Sequence, residues 1–133
     1  MKFKLFLFLL APILIFTSCK KNNSNTAILG TWSRIEMTTV NNGQSTDVPI
    51  PEENTLTFES CEGNDDWCPS VNTYDGSTFQ VEYQVSEDES TLTVRSTDGS
   101  QQQVYSIIEL NSTELKLSSV QQGGNLITTY EKI

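Results

Sequence analysis

The stretch "FQVEYQV" (79–85) changes character at every step. Phe79, Val81, Tyr83 and Val85 fall on one side of an extended chain, and Gln80, Glu82 and Gln84 on the other. A period of two belongs to a strand with one face buried and one in water. The signature recurs outward from it. "TLTF" (55–58) places Leu56 and Phe58 together, "TLTVRS" (91–96) places Leu92 and Val94 together, and "ELKLSSV" (114–120) alternates again. "QVYSIIEL" (103–110) is apolar on both sides near Ile107 and Ile108, which predicts a bulge or two-sided burial there. Residues 32–40, a less regular run at 71–74 and "LITTYEKI" (126–133) bring the total to about eight strands. No helical period of useful length follows Ala27.

Turn chemistry separates these runs: "NNGQ" (41–44), "EDES" (87–90), "TDGS" (97–100), "LNST" (110–113) and "QQGGN" (121–125). Connections this short make neighbouring strands antiparallel. A regular meander either leaves two open edges or closes on itself, and closure removes the edges. The expected fold over 28–133 is therefore all-β: a small antiparallel up-and-down barrel of about eight strands, with an open β-sandwich as the alternative. "PIPEEN" (49–54) pairs poorly as a central strand because proline has no N–H to give, so it is expected to be a loop at one end of the barrel. The segment between Cys61 and Cys68 is the other long connection.

The N-terminus has a separate logic. Lys2 and Lys4 precede a twelve-residue apolar run at 5–16, and Thr17, Ser18 and Cys19 follow. A membrane-spanning helix needs roughly 20 apolar residues, whereas this run has the length and flanks of a secretory signal. The order apolar, Thr17, Ser18, Cys19 resembles the lipobox of bacterial lipoproteins. That resemblance implies a signal peptide over 1–18, cleavage before Cys19, and acylation of Cys19 with fatty chains such as palmitate. Two or more chains hold a protein firmly at a bilayer, where one does so marginally. The polar segment up to Ala27 then reads as a flexible tether, so that 19–27 is lipidated cysteine and linker. The expected location is the cell envelope, anchored in the outer membrane and facing the periplasm, since basic and amide residues rather than an acidic run follow Cys19.

Composition excludes several functions. The chain of 133 residues carries 17 acids and 8 bases. Removing 1–18 leaves 133 − 18 = 115 residues, one domain by length, with 17 acids against 6 bases, or −11. Nucleic-acid binding rests on Lys and Arg at phosphates, and this balance argues against it. Of the three cysteines, lipidation accounts for Cys19. Cys61 and Cys68 in "CEGNDDWC" are then expected to form a disulfide in an oxidising compartment, since the chain has no histidine and no further cysteine to complete a zinc site.

"ILGTW" (28–32) opens the first strand, and its Gly30 and Trp32 match the Gly-x-Trp start of lipocalins. With "LTF", "YSIIELNSTELKLSS" and "TYEKI" further on, 28–133 resembles the lipocalin-like domains of bacterial outer-membrane lipoproteins. The resemblance implies that Trp32 plugs the closed end of the barrel and that Lys132 packs on it through a cation–π contact. It also implies a binding protein for a small apolar or amphipathic molecule.

The residues themselves offer little catalysis. Absence of histidine removes Ser-His-Asp and Cys-His mechanisms. The paired acids Glu52-Glu53, Asp65-Asp66 and Glu87-Asp88-Glu89 read as solvated turn charges. "EGNDD" (62–66) lacks the spacing of a calcium loop, so neither metal nor cofactor is implied and the protein is not expected to be an enzyme. Inward aromatic residues Phe58, Phe79, Tyr83, Tyr105 and Tyr130 read first as a packed core, and are otherwise the candidate ligand cavity. A second function class competes: an envelope interaction module or enzyme inhibitor that meets a protein partner through its loops. Trp67, Asp65 and Asp66 in the stapled loop are the candidate contacts.

Overall fold

The computed structural model describes residues 26–63 and 66–133. Cys19, the apolar run before it and Asp65 lie outside the described residues. Nine strands follow one another: β1 (Gly30–Asn41), β2 (Gln44–Asp47), β3 (Thr55–Phe58), β4 (Cys68–Tyr74), β5 (Ser77–Val85), β6 (Thr91–Ser96), β7 (Gln102–Leu110), β8 (Glu114–Gln121) and β9 (Gly124–Lys132). Each pairs antiparallel with its neighbours, and β9 returns to β1 through partners running from Trp32↔Lys132 to Val40↔Asn125. One sheet thus closes on itself. Eight strands, β1 and β3 to β9, form the barrel, and β2 is an extra strand; the sandwich alternative does not occur.

β2 was not expected. β1 is long enough to hold two partners on one edge: β2 beside Thr38 to Asn41 and β3 beside Gly30 to Ser33. β2 and β3 are in effect one strand running down beside β1, broken at 48–54. Those seven residues pass opposite only four of β1, 34–37, tied by Val48 N–H to the Met37 carbonyl and Arg34 N–H to the Asn54 carbonyl. The prolines explain the break, having no N–H for the ladder. The segment "PIPEEN" is therefore an excursion in the middle of the wall, not a loop at a barrel end. Asn42 and Gly43, both at positive φ (50° and 78°), make the tight turn between β1 and β2.

Two bulges interrupt the alternation. One skips Ile108 between Ile107 and Glu109, where two-sided apolarity had pointed to it, and leaves Ile108 half-exposed. The other skips Ile35 between Arg34 and Glu36. Trp32 and Arg34 face inward; after the bulge Met37 and Thr39 take over the inward face. Glu36 pairs with Thr129 and points outward, where the Thr129 hydroxyl donates to its carboxylate.

The two ends of the barrel differ. At the lower end Ile28, Trp32, Leu92 and Leu115 are completely buried, with Phe58, Cys68, Tyr83 and Leu117 around them. The Phe58 and Tyr83 rings meet edge to face at 4.8 Å. Towards the upper end the same inward face opens: Tyr74 is 45% and Phe79 52% exposed, and Gln103 is exposed as well.

Candidate functional site

The lower end is sealed by three residues. Trp32 donates from its indole Nε1 to the Ile28 carbonyl at 2.7 Å. The Lys132 ammonium lies 4.9 Å from the centre of its ring and donates to the Ala27 carbonyl at 3.3 Å. Gly30 makes this possible. Its φ is +115°, and a Cβ built on it would stand 2.9 Å from Lys132 Cε, so a larger residue would displace the lysine stem. Gly30, Trp32 and Lys132 meet at this end of the barrel.

Above this seal the interior holds a charge. Arg34 projects inward one pleat above Trp32. Its Nη1 donates to Asn54 Oδ1 at 2.7 Å and its Nη2 to the Tyr130 hydroxyl at 3.0 Å. Asn54 is itself buried and fixed by donating to the Pro51 carbonyl at 3.0 Å, so the proline excursion in the wall positions the arginine. The guanidinium carbon sits 5.3 Å from the Tyr130 ring centre and 5.6 Å from that of Tyr74. Its Nε–H is enclosed without an acceptor. Among the described residues no carboxylate pairs with it, whereas Arg95 holds Glu82 at 2.7 Å and Lys116 holds Glu114 at 3.6 Å. Tyr105 belongs to the same cluster: burial pushes its hydroxyl pKa up, Tyr130 adds to the rise and Arg34 partly offsets it.

At the mouth, the inward faces of the β1–β2 and β8–β9 hairpins form a cleft of about 460 Å³. Thr39, Asn41, Gln44, Thr46, Gln121 and Leu126 line much of it. The lining is amide and hydroxyl with one apolar side chain, a surface suited to orienting a polar group.

The five aromatic residues singled out for the cavity divide among three levels. Phe58 and Tyr83 are part of the packed lower end; the Tyr83 hydroxyl donates to the Glu59 carbonyl at 2.8 Å, and burial pushes its pKa up to about 12. Tyr130 holds Arg34 at mid-height, and Tyr105 is linked to both through its electrostatics. Phe79 stands at the rim. Of the proposed partner contacts, Asp66 is exposed. Trp67 is half-buried, not free: its ring lies 3.9 Å beneath the Arg95 guanidinium on the outer wall. Cys61 and Cys68 are joined in a disulfide that fastens this loop to the start of β4.

A family model described as a lipocalin-like domain matches residues 28–117. The chain belongs to this lipocalin-like family. The lipocalin-like barrel is a binding fold that is generally not enzymatic, and it suits a small molecule inside. No curated protein matches the chain. Among solved structures, a redesigned β-barrel is similar over 84% of this chain and 96% of its own, at 14% identity and a TM-score of 0.44. Alternation from Trp32 across Ser33 places Arg34 on the same inward face as the plug.

Proposed function

We propose that this protein is a lipid-anchored, non-catalytic binding protein of the bacterial cell envelope that holds a small amphipathic molecule in the upper half of its barrel. The observation that carries this is the asymmetry along one inward face. Trp32, Leu92 and Leu115 are wholly buried below, while Tyr74 and Phe79 are half-exposed above. Large aromatic side chains lining an open mouth expose apolar area that a ligand can cover, at about 25 cal/mol per Å² buried. The lipobox-like segment ending in Cys19 supports anchorage at the outer membrane, facing the periplasm. The family supports binding of a small molecule rather than turnover.

A neutral apolar fluorophore, N-phenyl-1-naphthylamine, tests the binding site on the full chain. We expect a saturable rise in emission at one probe per chain. Gln103→Trp, at an exposed inward position of the mouth, should weaken it severalfold with the circular dichroism unchanged. A signal that does not saturate, or that Gln103→Trp leaves untouched, refutes an internal site.

A further inference from the structure

One edge of the sheet stays open. β1 holds β2 at its upper end and β3 at its lower end, but only β3 carries the wall onward: β3 pairs with β4, whereas β2 has β1 alone. β4 meets β3 as far as Thr73↔Thr55, ends at Tyr74 and turns back through Asp75 and Gly76, both at positive φ. Among the described residues, no strand lies along the outer edge of β2.

The register says which groups that edge presents. Residues of an antiparallel strand alternately turn N–H and C=O towards a given neighbour and away from it. Val48 N–H goes to the Met37 carbonyl, so Thr46 and Gln44 also face β1, while Ser45 and Asp47 face out. Their two N–H and two C=O groups have no partner among the described residues. Asp47 stands on this edge, and Glu52, Glu53 and Asp75 border the gap beyond it, with Glu53 Oε2 3.3 Å from where a Cβ on Gly76 would stand. All four acids are exposed, and none has a cationic partner among the described residues. Two copies joined edge to edge would bring two sets of these acids together, and like charges across strands oppose pairing. A short, charged edge resists its own kind and suits a strand of opposite charge.

We propose that the outer edge of β2 is a docking site for an extended basic segment of a partner protein, which adds a strand to the wall. Main-chain bonds to Ser45 and Asp47 supply the hold, and alternate side chains supply the selectivity. Lysine or arginine on the outer face of the segment meets Asp47 and, further along, Glu53 and Asp75. Small polar side chains on its inner face lie beside Gln44 and Thr46, which line the uncharged cleft at the mouth. The site is separate from whatever the barrel holds.

Fluorescence anisotropy of the labelled peptides TKTKTKT and TETETET, titrated with the full chain, tests the edge. The basic peptide should bind at least tenfold more tightly than the acidic one. In antiparallel pairing its lysine N–H groups face β2 and its threonine N–H groups face solvent. Methylating the lysine backbone nitrogens should therefore abolish binding, and methylating the threonine ones should spare it. Ser45→Pro removes one outward N–H and none that serves β1, and should cut binding at least tenfold with the circular dichroism unchanged. Asp47→Lys should reduce the preference for the basic peptide severalfold, and decides the matter if the proline variant does not fold. Equal binding of the two methylated peptides overturns strand addition, as does wild-type binding in a folded Ser45→Pro, an undiminished preference in Asp47→Lys, or binding of neither peptide. A dimer in sedimentation velocity that Ser45→Pro makes monomeric gives the edge to a second copy and also overturns the proposal.

Discussion

Replacing Trp32 by alanine removes the seal of the lower end, and its cost can be worked from the contacts. The side chain is fully buried. Truncating a large buried aromatic costs about 3–5 kcal/mol, part of it transfer and part the cavity left behind. Loss of the indole donor also leaves the Ile28 carbonyl, which it contacts at 2.7 Å, without its partner, a penalty of about 1–3 kcal/mol when such a group is buried. The upper part of the 3–5 kcal/mol range is therefore expected, in a domain whose total is about 5–15 kcal/mol. With a urea slope of about 2 kcal/mol per M, the unfolding midpoint should fall by about 2 M. Trp67→Ala supplies the contrast within the same protein. Its ring is half-exposed and stacks on Arg95, a contact worth about 0.5–1 kcal/mol at the surface. Its midpoint should fall by about 0.5 M or less. Urea titrations followed by circular dichroism measure both. If Trp32→Ala moves the midpoint no further than Trp67→Ala does, the seal contributes no more than a surface contact, and the physical account of the lower end is wrong.

Cys19→Ser should abolish metabolic labelling with palmitate and leave an uncut or differently cut precursor on fractionation; equal label in variant and wild type overturns the anchor. The pH profile of stability should bend at both ends. Asp88 and Asp98 accept hydrogen bonds from Ser86 and Ser90 and from Ser96 and Ser100, which lower each pKa from 3.8 to about 2. Their contribution is present above pH 3.8 and disappears as the pH falls towards 2, because the unfolded chain takes up the protons first. Tyr83 acts in the opposite sense: with a pKa raised from 10.0 to about 12, its contribution is present below pH 10 and lost as the pH climbs towards 12. Carboxylate resonances of Asp88 and Asp98 followed by nuclear magnetic resonance should titrate near pH 2; midpoints near 4 refute the turn geometry.

Much of this fold could be read from periodicity, and the failures have physical causes. Alternation at 79–85 found β5 because each second residue faces inward, Tyr83 and Val85 into the core and Phe79 at the rim. It missed β2 because "QSTD" buries nothing: all four residues are exposed, and only pairing with the long edge of β1 makes them a strand. Asn42-Gly43 was the available signal, since it is a two-residue hairpin turn and implies a partner on each side. The position of "PIPEEN" depends on how far β1 extends, which is set by the β9 pairing on its other edge and not by any local residue. Trp32, Gly30 and Lys132 were legible because a family pattern carried them. Alternation from Trp32 puts Arg34 on the inward face, but its separation from Glu36 was not legible, because the bulge at Ile35 cannot be read from a charged stretch such as "SRIEM". The stacking of Trp67 on Arg95 was not legible, because the two lie two strands apart along the chain.

The joint between β1 and β9 has a consequence for how the barrel forms. Every pairing from β3 to β9 joins consecutive strands, and most are connected by a few residues. The closing pair brings Trp32 to Lys132, 132 − 32 = 100 positions apart. Loop-closure entropy grows by about 0.6 kcal/mol for each doubling of length, so this contact costs about 2 kcal/mol more to form than one across ten residues. Hairpins can appear early and locally, whereas the seam waits for the ends of the sheet to meet, and topologies dominated by such distant contacts fold slowly. The sealing tryptophan and its lysine sit on opposite sides of that seam. The lower end therefore cannot be packed until the circle is complete, and packing it is what locks the circle.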